Sequence, residues 1–296
     1  MKELGRLITA MVTPLDEKGE VDYEQATKLA LALLASGSDG VLVVGTTGES
    51  PTMLRAEEYR LFRDIKAAVG GKGTVIAGTG SNSTAEAVGA TKEAEKIGVD
   101  ACLLVVPYYN KPTQEGLYQH FRTVAESTSL PCIMYNVPSR TVVNMNADTV
   151  IRLSKVDNII GVKEASGNFE QIAKIIQETS DDFFVWSGND TDTFLIMALG
   201  GYGIISVASH LVGNQIKQMI DSFVDGKVAE AASIHRRLLP LVDALFIISN
   251  PIPVKYAVNQ VGFRVGKPRL PLTEPDEKTA AIIKDTLKNY TIDLPV

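Results

Sequence analysis

Short apolar runs recur through the first two-thirds of the chain, and a segment with the helical period follows each of them. The eight runs occupy residues 7–11, 40–44, 74–77, 101–105, 132–135, 159–163, 184–187 and 203–207. Near-continuous apolar runs are typical of parallel strands covered on both faces, and helical crossovers fit the same arrangement. The alternation therefore predicts an α/β fold of the (β/α)8 TIM barrel type.

The segment from Ser83 to Gly98 illustrates the helical period. Small and apolar residues at positions 87, 90, 91, 94 and 97 fall on one face of a helix. Ser83 stands three residues before Glu86, which is the spacing of a capping box at a helix start. We expect a helix that begins after Ser83 and buries its small face.

After the eighth run the pattern changes to helices alone. Helical segments are predicted at residues 214–224, 227–248, 252–261 and 274–289, with a turn-rich connection over 262–275. No low-complexity linker precedes these helices. The expected organisation is a catalytic barrel domain over residues 1–225 and a C-terminal helical extension over residues 226–296, packed on the barrel.

Composition narrows the class of function. A net charge of −6 and a pI near 5.3 argue against a nucleic-acid surface, and no cluster of Lys and Arg contradicts them. Met1 to Pro14 shows neither a signal-peptide nor a transit-peptide pattern, and no apolar run approaches the roughly 18 residues that a membrane span needs. Cys102 and Cys132 lie inside apolar runs. We expect buried free thiols in a cytoplasmic protein with no membrane partner.

The sequence indicates neither a metal nor a cofactor. The three histidines are scattered, and Gly78 to Ser83 lacks the third glycine of a dinucleotide fingerprint. Asn189, Asp190 and Asp192 could suggest a cation site, but we interpret them as a solvated loop that caps the next helix.

Lys163 ends the sixth apolar run. One interpretation is a lysine that extends from a strand end into water. The other is an amine that loses hydration among apolar neighbours, which lowers its pKa and leaves some neutral amine to attack carbonyls.

Catalytic residues of a TIM barrel gather at the carboxyl ends of its strands, so the residues after each run bear on this choice. The second run is followed by Gly45 to Ser50, which is either an ordinary turn or a nest of amides and hydroxyls for a carboxylate. Tyr109 and Tyr135 follow or end the fourth and fifth runs, and Arg140 comes next. Taken singly, each tyrosine could be a half-buried ring. Together with Lys163 they favour imine chemistry, in which a phenol moves protons and an arginine binds a carboxylate.

Three motifs carry a likeness that extends from Gly5 to the helical tail. They are Gly45-Thr46-Thr47-Gly48-Glu49, Tyr135-Asn136-Val137-Pro138-Ser139-Arg140 and Gly161-Val162-Lys163-Glu164-Ala165-Ser166-Gly167. With them the chain resembles the pyruvate-dependent class I aldolases, the family of N-acetylneuraminate lyase and dihydrodipicolinate synthase. Arg140 in its Pro-Ser-Arg context favours the synthase branch over the sugar-acid aldolases.

The resemblance implies the following chemistry. Lys163 would form a Schiff base with pyruvate, and Tyr135 would be the general acid and base. Thr46 would link Tyr135 to Tyr109, contributed by a neighbouring subunit, as a proton relay. The product would be 4-hydroxy-tetrahydrodipicolinate, in diaminopimelate and lysine biosynthesis, and the assembly a homotetramer built from tight dimers.

The same resemblance implies the substrate contacts. Thr46 and Thr47 would hold the pyruvate carboxylate, and Gly188 and Ile205 would line the site through their backbones. Arg140 would receive the carboxylate of L-aspartate 4-semialdehyde.

Residues that correspond to a lysine-binding allosteric site in some family members are Ser50, Asn82, Glu86 and Tyr108. Arg55 and Glu58 stand where lysine-sensitive members tend to carry histidines, so we expect weak or absent feedback inhibition. Two other functions stay open at this point: a related pyruvate aldolase acting on a sugar acid, and a catalytically silent regulator on the same scaffold. The intact set of lysine, tyrosine and threonine argues against the silent regulator.

Overall fold

The computed structural model describes residues 4–295, and these form eight β-strands and twelve α-helices. The strands are Leu7–Ala10 (β1), Gly40–Val43 (β2), Thr74–Gly78 (β3), Ala101–Val105 (β4), Cys132–Asn136 (β5), Ile159–Glu164 (β6), Phe184–Ser187 (β7) and Gly203–Ser206 (β8). The helices are Tyr23–Ala35 (α1), Arg55–Val69 (α2), Thr84–Ile97 (α3), Gln114–Ala125 (α4), Pro138–Thr141 (α5), Ala147–Leu153 (α6), Phe169–Glu178 (α7), Thr193–Ala198 (α8), Ser209–Val224 (α9), Val228–Leu245 (α10), Ile252–Gln260 (α11) and Glu277–Leu287 (α12).

The strands follow one another in chain order around a closed parallel barrel. Every residue of β1, β2, β5, β6 and β8 is buried, which is why their sequences are apolar without alternation. Each predicted strand lies within one residue of the observed one at either end. The (β/α)8 prediction is confirmed.

The start of α3 differs in detail from the prediction. Ser83 caps the helix, because its side chain accepts the Glu86 N–H. Positions 87, 90, 91 and 94 are buried as expected, whereas Ile97 is partly exposed. The reciprocal bond goes through Ser81, whose Oγ donates to Glu86 Oε2 (2.9 Å) and accepts the Ser83 N–H (3.1 Å). In the expected capping box the Glu86 carboxylate would accept the Ser83 N–H directly. Here the Ser81 hydroxyl bridges these two groups.

The described chain divides into two compact units, one built from the residues up to Val75 and from Ser206 onward, the other from Ile76–Ile205. In the first unit α9 contacts β1, α1, α10 and α11, and α12 contacts α10 and α11. Helix α9 begins at Ser209, five residues before the predicted start, and has a kink at Val212. The division into a barrel over residues 1–225 and an extension over 226–296 stays a prediction.

The cysteines and one histidine are part of the packed interior. Cys102 and Cys132 are free, buried and opposite each other on β4 and β5, as predicted for buried thiols, and burial raises the pKa of Cys102 to about 12. His210 is fully buried, with Nδ1 2.8 Å from the Val207 carbonyl and Nε2 accepting the Val12 N–H (3.1 Å). These two bonds define a neutral imidazole that joins β1 to the end of β8.

Among residues 4–295, no group of three or more His, Cys, Asp or Glu is placed to hold a metal ion. No helix in that range is both long enough and apolar enough to cross a bilayer.

Candidate active site

Lys163 lies near the carboxyl end of β6 with only 5% of its surface exposed. It pairs in register with Tyr135 on β5 and with Trp186 on β7, so these side chains share one face of the sheet. Trp186 is fully buried, and a Cβ on Gly161 would lie 2.1 Å from the Phe184 carbonyl oxygen and 2.8 Å from the Trp186 ring. Glycine at 161 therefore allows both the β7 backbone and the indole to pack against β6. Because Lys163 is buried among these groups, its interpretation as a solvent-directed side chain is wrong.

The environment of Lys163 lowers the basicity of its amine. Desolvation lowers its pKa to about 7, the nearby charge of Asp190 opposes this shift, and the charge of Arg140 adds to it. The neutral amine, which is the form that adds to a carbonyl, is therefore available near neutral pH.

Tyr135 lies directly beside this amine. Lys163 Nζ is 4.3 Å from the centroid of the Tyr135 ring. Burial raises the pKa of Tyr135 to about 12, and the Arg140 charge partly opposes the increase. The phenol is consequently protonated throughout the neutral range, and it can donate a proton to an oxygen or nitrogen that forms at Lys163.

On the opposite face of the same two strands lies a buried polar network that sequence reasoning missed. Glu164 is fully buried, and its carboxylate accepts from Asn136 Nδ2 (3.1 and 3.2 Å) and from the Ser166 N–H (2.8 Å). Asn136 also donates to Asn144 Oδ1 (2.8 Å) and accepts the Met145 N–H (3.0 Å). These bonds fix the segments that follow β5 and β6, and hence the strand ends that carry Tyr135 and Lys163. The sequence did contain a sign of this network: a polar residue, Asn136 or Glu164, directly follows each of the two site residues Tyr135 and Lys163.

The segment after β7 does not match its prediction as a solvated loop. Asp190 is 7% exposed, Asn189 and Asp192 are only partly exposed, and Asp192 makes no capping bond to α8. Side-chain bonds hold the segment instead: Ser187 Oγ donates to the Asn189 carbonyl (2.7 Å), and Asn189 donates to Asp192 (2.8 Å). This turn places the Asp190 carboxylate close enough to Lys163 for its charge to raise the lysine pKa. The local sequence gave no sign that Asp190 is buried.

Thr46 and Thr47 belong to a turn that follows β2. Thr47 is 4% exposed and its Oγ1 accepts a hydrogen bond from Asn250 Nδ2 (2.9 Å). The N–H groups of residues 48–50 donate to carbonyls within the turn, so the predicted nest does not extend to them. Non-glycine residues with left-handed backbones stand on both sides, Val44 at φ 58° and Glu49 at φ 61°. Each costs about 1–3 kcal/mol and persists only where surrounding contacts enforce it.

The remaining predicted substrate contacts lie at three strand ends. Arg140 is exposed on α5, the short helix after β5. Gly188 donates its N–H to the Glu164 carbonyl (2.7 Å), and a Cβ there would lie 2.7 Å from Ala165 Cβ, so the backbone approach requires glycine. Ile205 is buried in β8.

Tyr109 is 90% exposed and has φ 73°. The loop that presents it is built by hydrogen bonds: Asn82 Nδ2 donates to the Tyr108 carbonyl (3.1 Å) and Asn110 Nδ2 to the Asn82 carbonyl (2.8 Å). An ordered loop thus holds a large aromatic ring in solvent, which is typical of a contact surface.

Of the four predicted allosteric residues, Asn82 and Tyr108 are in contact through that bond, and Glu86 accepts from Ser81 at the start of α3. Ser50 begins a short 3-10 helix in the other unit. Arg55 and Glu58 pair with each other at 2.7 Å, and Glu58 is buried. Their charges are therefore engaged with one another.

We expect Asp190→Asn to move the pH dependence of imine formation toward acid. The Asp190 charge raises the pKa of Lys163, so its removal lowers that pKa and makes neutral amine available at lower pH, by about one pH unit. The measurement is the rate of borohydride-trapped adduct formation with pyruvate between pH 5.5 and 9. Asp192→Asn is the matched control and should leave the profile in place. A shift toward alkali would contradict the assignment.

Comparisons with known proteins agree with this geometry. The model of the Dihydrodipicolinate synthetase family matches residues 3–290. A 4-hydroxy-tetrahydrodipicolinate synthase of Dehalococcoides mccartyi strain CBDB1 is 67% identical over 296 residues, which cover 100% of both chains. The crystal structure of a dihydrodipicolinate synthase from Cyanidioschyzon merolae with lysine bound has a TM-score of 0.95 and 49% identity, over 97% of this chain and 98% of that one. A chloride-inhibited dihydrodipicolinate synthase from Acinetobacter baumannii complexed with pyruvate has a TM-score of 0.94 and 38% identity, over 97% and 99% of the two chains. The chain therefore belongs to the dihydrodipicolinate synthetase family.

Proposed function

We propose that this chain condenses pyruvate with L-aspartate 4-semialdehyde through an imine on Lys163 to give 4-hydroxy-tetrahydrodipicolinate, a step of diaminopimelate and lysine biosynthesis. The observation that carries the proposal is a buried lysine with a pKa of about 7 beside a protonated phenol. The enzyme is a lyase of the class I aldolase type, and the relatives named above include a 4-hydroxy-tetrahydrodipicolinate synthase.

The reaction begins at the neutral amine of Lys163. It adds to C2 of pyruvate, and loss of water leaves an imine. Removal of a C3 proton gives the enamine, whose C3 forms a bond to the aldehyde carbon of the second substrate. The amino group of that substrate then adds to the imine carbon, closes the ring and expels the Lys163 amine. One water is released overall.

Tyr135 is the proposed general acid and base for these steps. Its phenol would protonate the leaving hydroxyl during imine formation and accept the proton that is lost on enamine formation. Thr46 and Tyr109 would complete a proton relay, with Tyr109 supplied by a second copy of the chain. The 90% exposure of Tyr109 supports that assignment, since an isolated chain gives this ring almost no cover.

The proposed binding contacts follow the charges of the substrates. Thr46 and Thr47 would hold the pyruvate carboxylate, and the backbones at Gly188 and Ile205 would line the site. Arg140 would bind the carboxylate of the semialdehyde. The pyruvate complex of the Acinetobacter baumannii relative supports pyruvate as the first substrate.

We further propose a cytoplasmic homotetramer assembled as a dimer of dimers, with no bound cofactor in the reaction.

Feedback inhibition by L-lysine through Ser50, Asn82, Glu86 and Tyr108 is expected to be weak or absent. The paired charges of Arg55 and Glu58 support this, because they replace the histidines expected of lysine-sensitive members. The semialdehyde assay with and without L-lysine tests the expectation.

Borohydride reduction with pyruvate is the direct test of the proposed function. A stable adduct on Lys163 is expected, and its absence would reject an imine mechanism. Pyruvate should then be supplied with aspartate semialdehyde and, separately, with N-acetylmannosamine or glyceraldehyde. Consumption of the sugar aldehydes alone would identify a sugar-acid aldolase instead.

Arg140→Ala should impair use of the semialdehyde far more than imine formation. Loss of a charge-assisted bidentate contact is worth about 2–3 kcal/mol, or roughly 30- to 150-fold in KM for the semialdehyde. The Arg140 charge also lowers the pKa of Lys163, so the assay is run near pH 8.5 to keep the amine neutral. Arg140→Lys is the matched variant, which keeps the charge but not the planar fork. Equal loss of both steps would contradict the assigned role.

A further inference from the structure

A buried ion pair lies next to the Thr46-Thr47 turn. Glu49 follows the turn directly, and Lys255 lies on α11. Their charged atoms, Nζ and Oε1, are 2.7 Å apart, and the side chains are 2% and 1% exposed. Lys255 also donates to the carbonyls of Thr13 (3.1 Å) and Lys267 (3.0 Å), while Glu49 Oε2 accepts the Arg269 N–H (2.7 Å). All three ammonium protons and both carboxylate oxygens are thus engaged.

Stability alone does not account for two charges at this position. Taking both ions out of water is costly, and well-packed apolar residues of the same volume are often equally stable or more so. Such a pair does, however, fix the geometry of whatever it is bonded to. Here it is bonded to the end of the turn that carries Thr46 and Thr47.

The backbone of Glu49 is in the left-handed region, which a non-glycine residue keeps only when its surroundings enforce it. Its carboxylate is held from two directions, by Lys255 on α11 and by the Arg269 N–H. These contacts hold the Glu49 backbone in its left-handed conformation.

Two further bonds extend the same control into the turn. Thr13, whose carbonyl accepts from Lys255, donates through Oγ1 to the Gly48 carbonyl (2.7 Å). Asn250, two residues before α11, donates to Thr47 Oγ1 (2.9 Å). Asn250, just before α11, therefore contacts the middle of the turn at Thr47, and Lys255 on α11 contacts its end at Glu49.

We propose that Glu49 and Lys255 are positioning residues for the Thr46-Thr47 turn, and that α11 thereby belongs to the machinery that holds the pyruvate carboxylate. This inference rests on the proposed role of Thr46 and Thr47. It assigns a part in substrate binding to a helix from the predicted C-terminal extension.

The test compares pyruvate dependence in Glu49→Gln, Lys255→Met and the double variant. Each should raise the KM for pyruvate, and the pyruvate concentration for half-maximal borohydride trapping, by about tenfold or more, because small displacements of positioning groups are costly. The KM for the semialdehyde should stay within about twofold, since the Arg140 contact is untouched. The double variant removes both charges together and so leaves no ion buried without its partner, and we expect it to fold even where a single variant does not.

Glu58→Gln is the matched control. The buried Glu58 carboxylate pairs with Arg55 at 2.7 Å on α2, so the variant breaks another ion pair that has a buried carboxylate but keeps Glu49, Lys255 and Arg269. It should lower the melting temperature and leave the pyruvate KM unchanged. An equal increase in pyruvate KM would show a general effect of destabilisation and overturn the positioning role.

The wild-type trapping experiment separates the two proposals. Absence of any pyruvate adduct on the wild type would reject the proposed function and this inference with it. A wild type that is trapped normally, together with a folded double variant of unchanged pyruvate dependence, would overturn the inference alone.

Discussion

Lys163→Met is expected to abolish pyruvate trapping and to lower kcat/KM for the condensation by about 10⁴-fold or more, the scale on which loss of a covalent nucleophile acts. Methionine fills the same volume among Tyr135 and Trp186 but has no amine. Mass spectrometry after borohydride treatment checks the first effect, and the semialdehyde assay checks the second.

The same variant should be more stable than the wild type near pH 7. The amine titrates near 10.5 in the unfolded chain and about 7 in the folded one, so between these values the unfolded state binds a proton that the folded state lacks. Wild-type stability consequently rises as pH increases from 7 to 10.5, and at pH 7 the lysine costs on the order of 4 kcal/mol at most. Lys163→Met removes that cost and that pH dependence.

Urea unfolding at pH 7 and pH 9.5 measures this difference. The gap in unfolding free energy between variant and wild type should narrow at the higher pH. Lys155→Met, an exposed lysine outside the site, is the control and should show no such trend. A variant that is inactive but no more stable at pH 7 would contradict the buried, low-pKa state of Lys163.

Tyr135→Phe is expected to reduce kcat by about 10²- to 10³-fold, the usual contribution of a positioned general acid and base. Trapping on Lys163 should be slower but still detectable, because the nucleophile remains. Since the pKa of the phenol is about 12, no titration of Tyr135 should appear between pH 6 and 9, and the acid limb of the wild-type profile belongs to Lys163.

Tyr118→Phe is the matched control for this result. Tyr118 lies on α4, the Arg152 guanidinium carbon is 4.0 Å from the centroid of its ring, and its hydroxyl has no proposed part in the reaction. Loss of less than about fivefold in kcat on Tyr135→Phe would mean that another group, or water, moves the protons.

The elements of the barrel could be predicted because their signal is local. Parallel strands covered on both faces must be apolar at every position, so each of the eight runs marks a strand almost to the residue. The helix starts were less accurate: α9 begins five residues before its predicted start, and Ser81 rather than Glu86 bonds the Ser83 N–H. Caps depend on which nearby oxygen lies in position, and spacing alone does not determine that.

Within the candidate site, too, some residues could be predicted from the sequence and others could not. Lys163, Tyr135 and the Thr46-Thr47 motif could be identified from their places at strand ends. Asp190 was misread as a solvated residue, because a run of Asn, Asp and Thr has the composition of an exposed turn whether or not its carboxylate is buried. The Glu164 network likewise depends on Asn136 meeting Glu164 across two strands.

Hydrophobic period and short motifs are properties of neighbouring residues, so the sequence alone was enough to predict the barrel and to single out the lysine that we propose attacks pyruvate. The basicity of that lysine, by contrast, follows from contacts that form only in the folded chain. The pKa of Lys163 depends on burial beside Tyr135 and Trp186 and on the charges of Asp190 and Arg140, and the geometry of the Thr46-Thr47 turn depends on a lysine 206 residues away from Glu49. Desolvation and charge act through space, and distance along the chain does not report them.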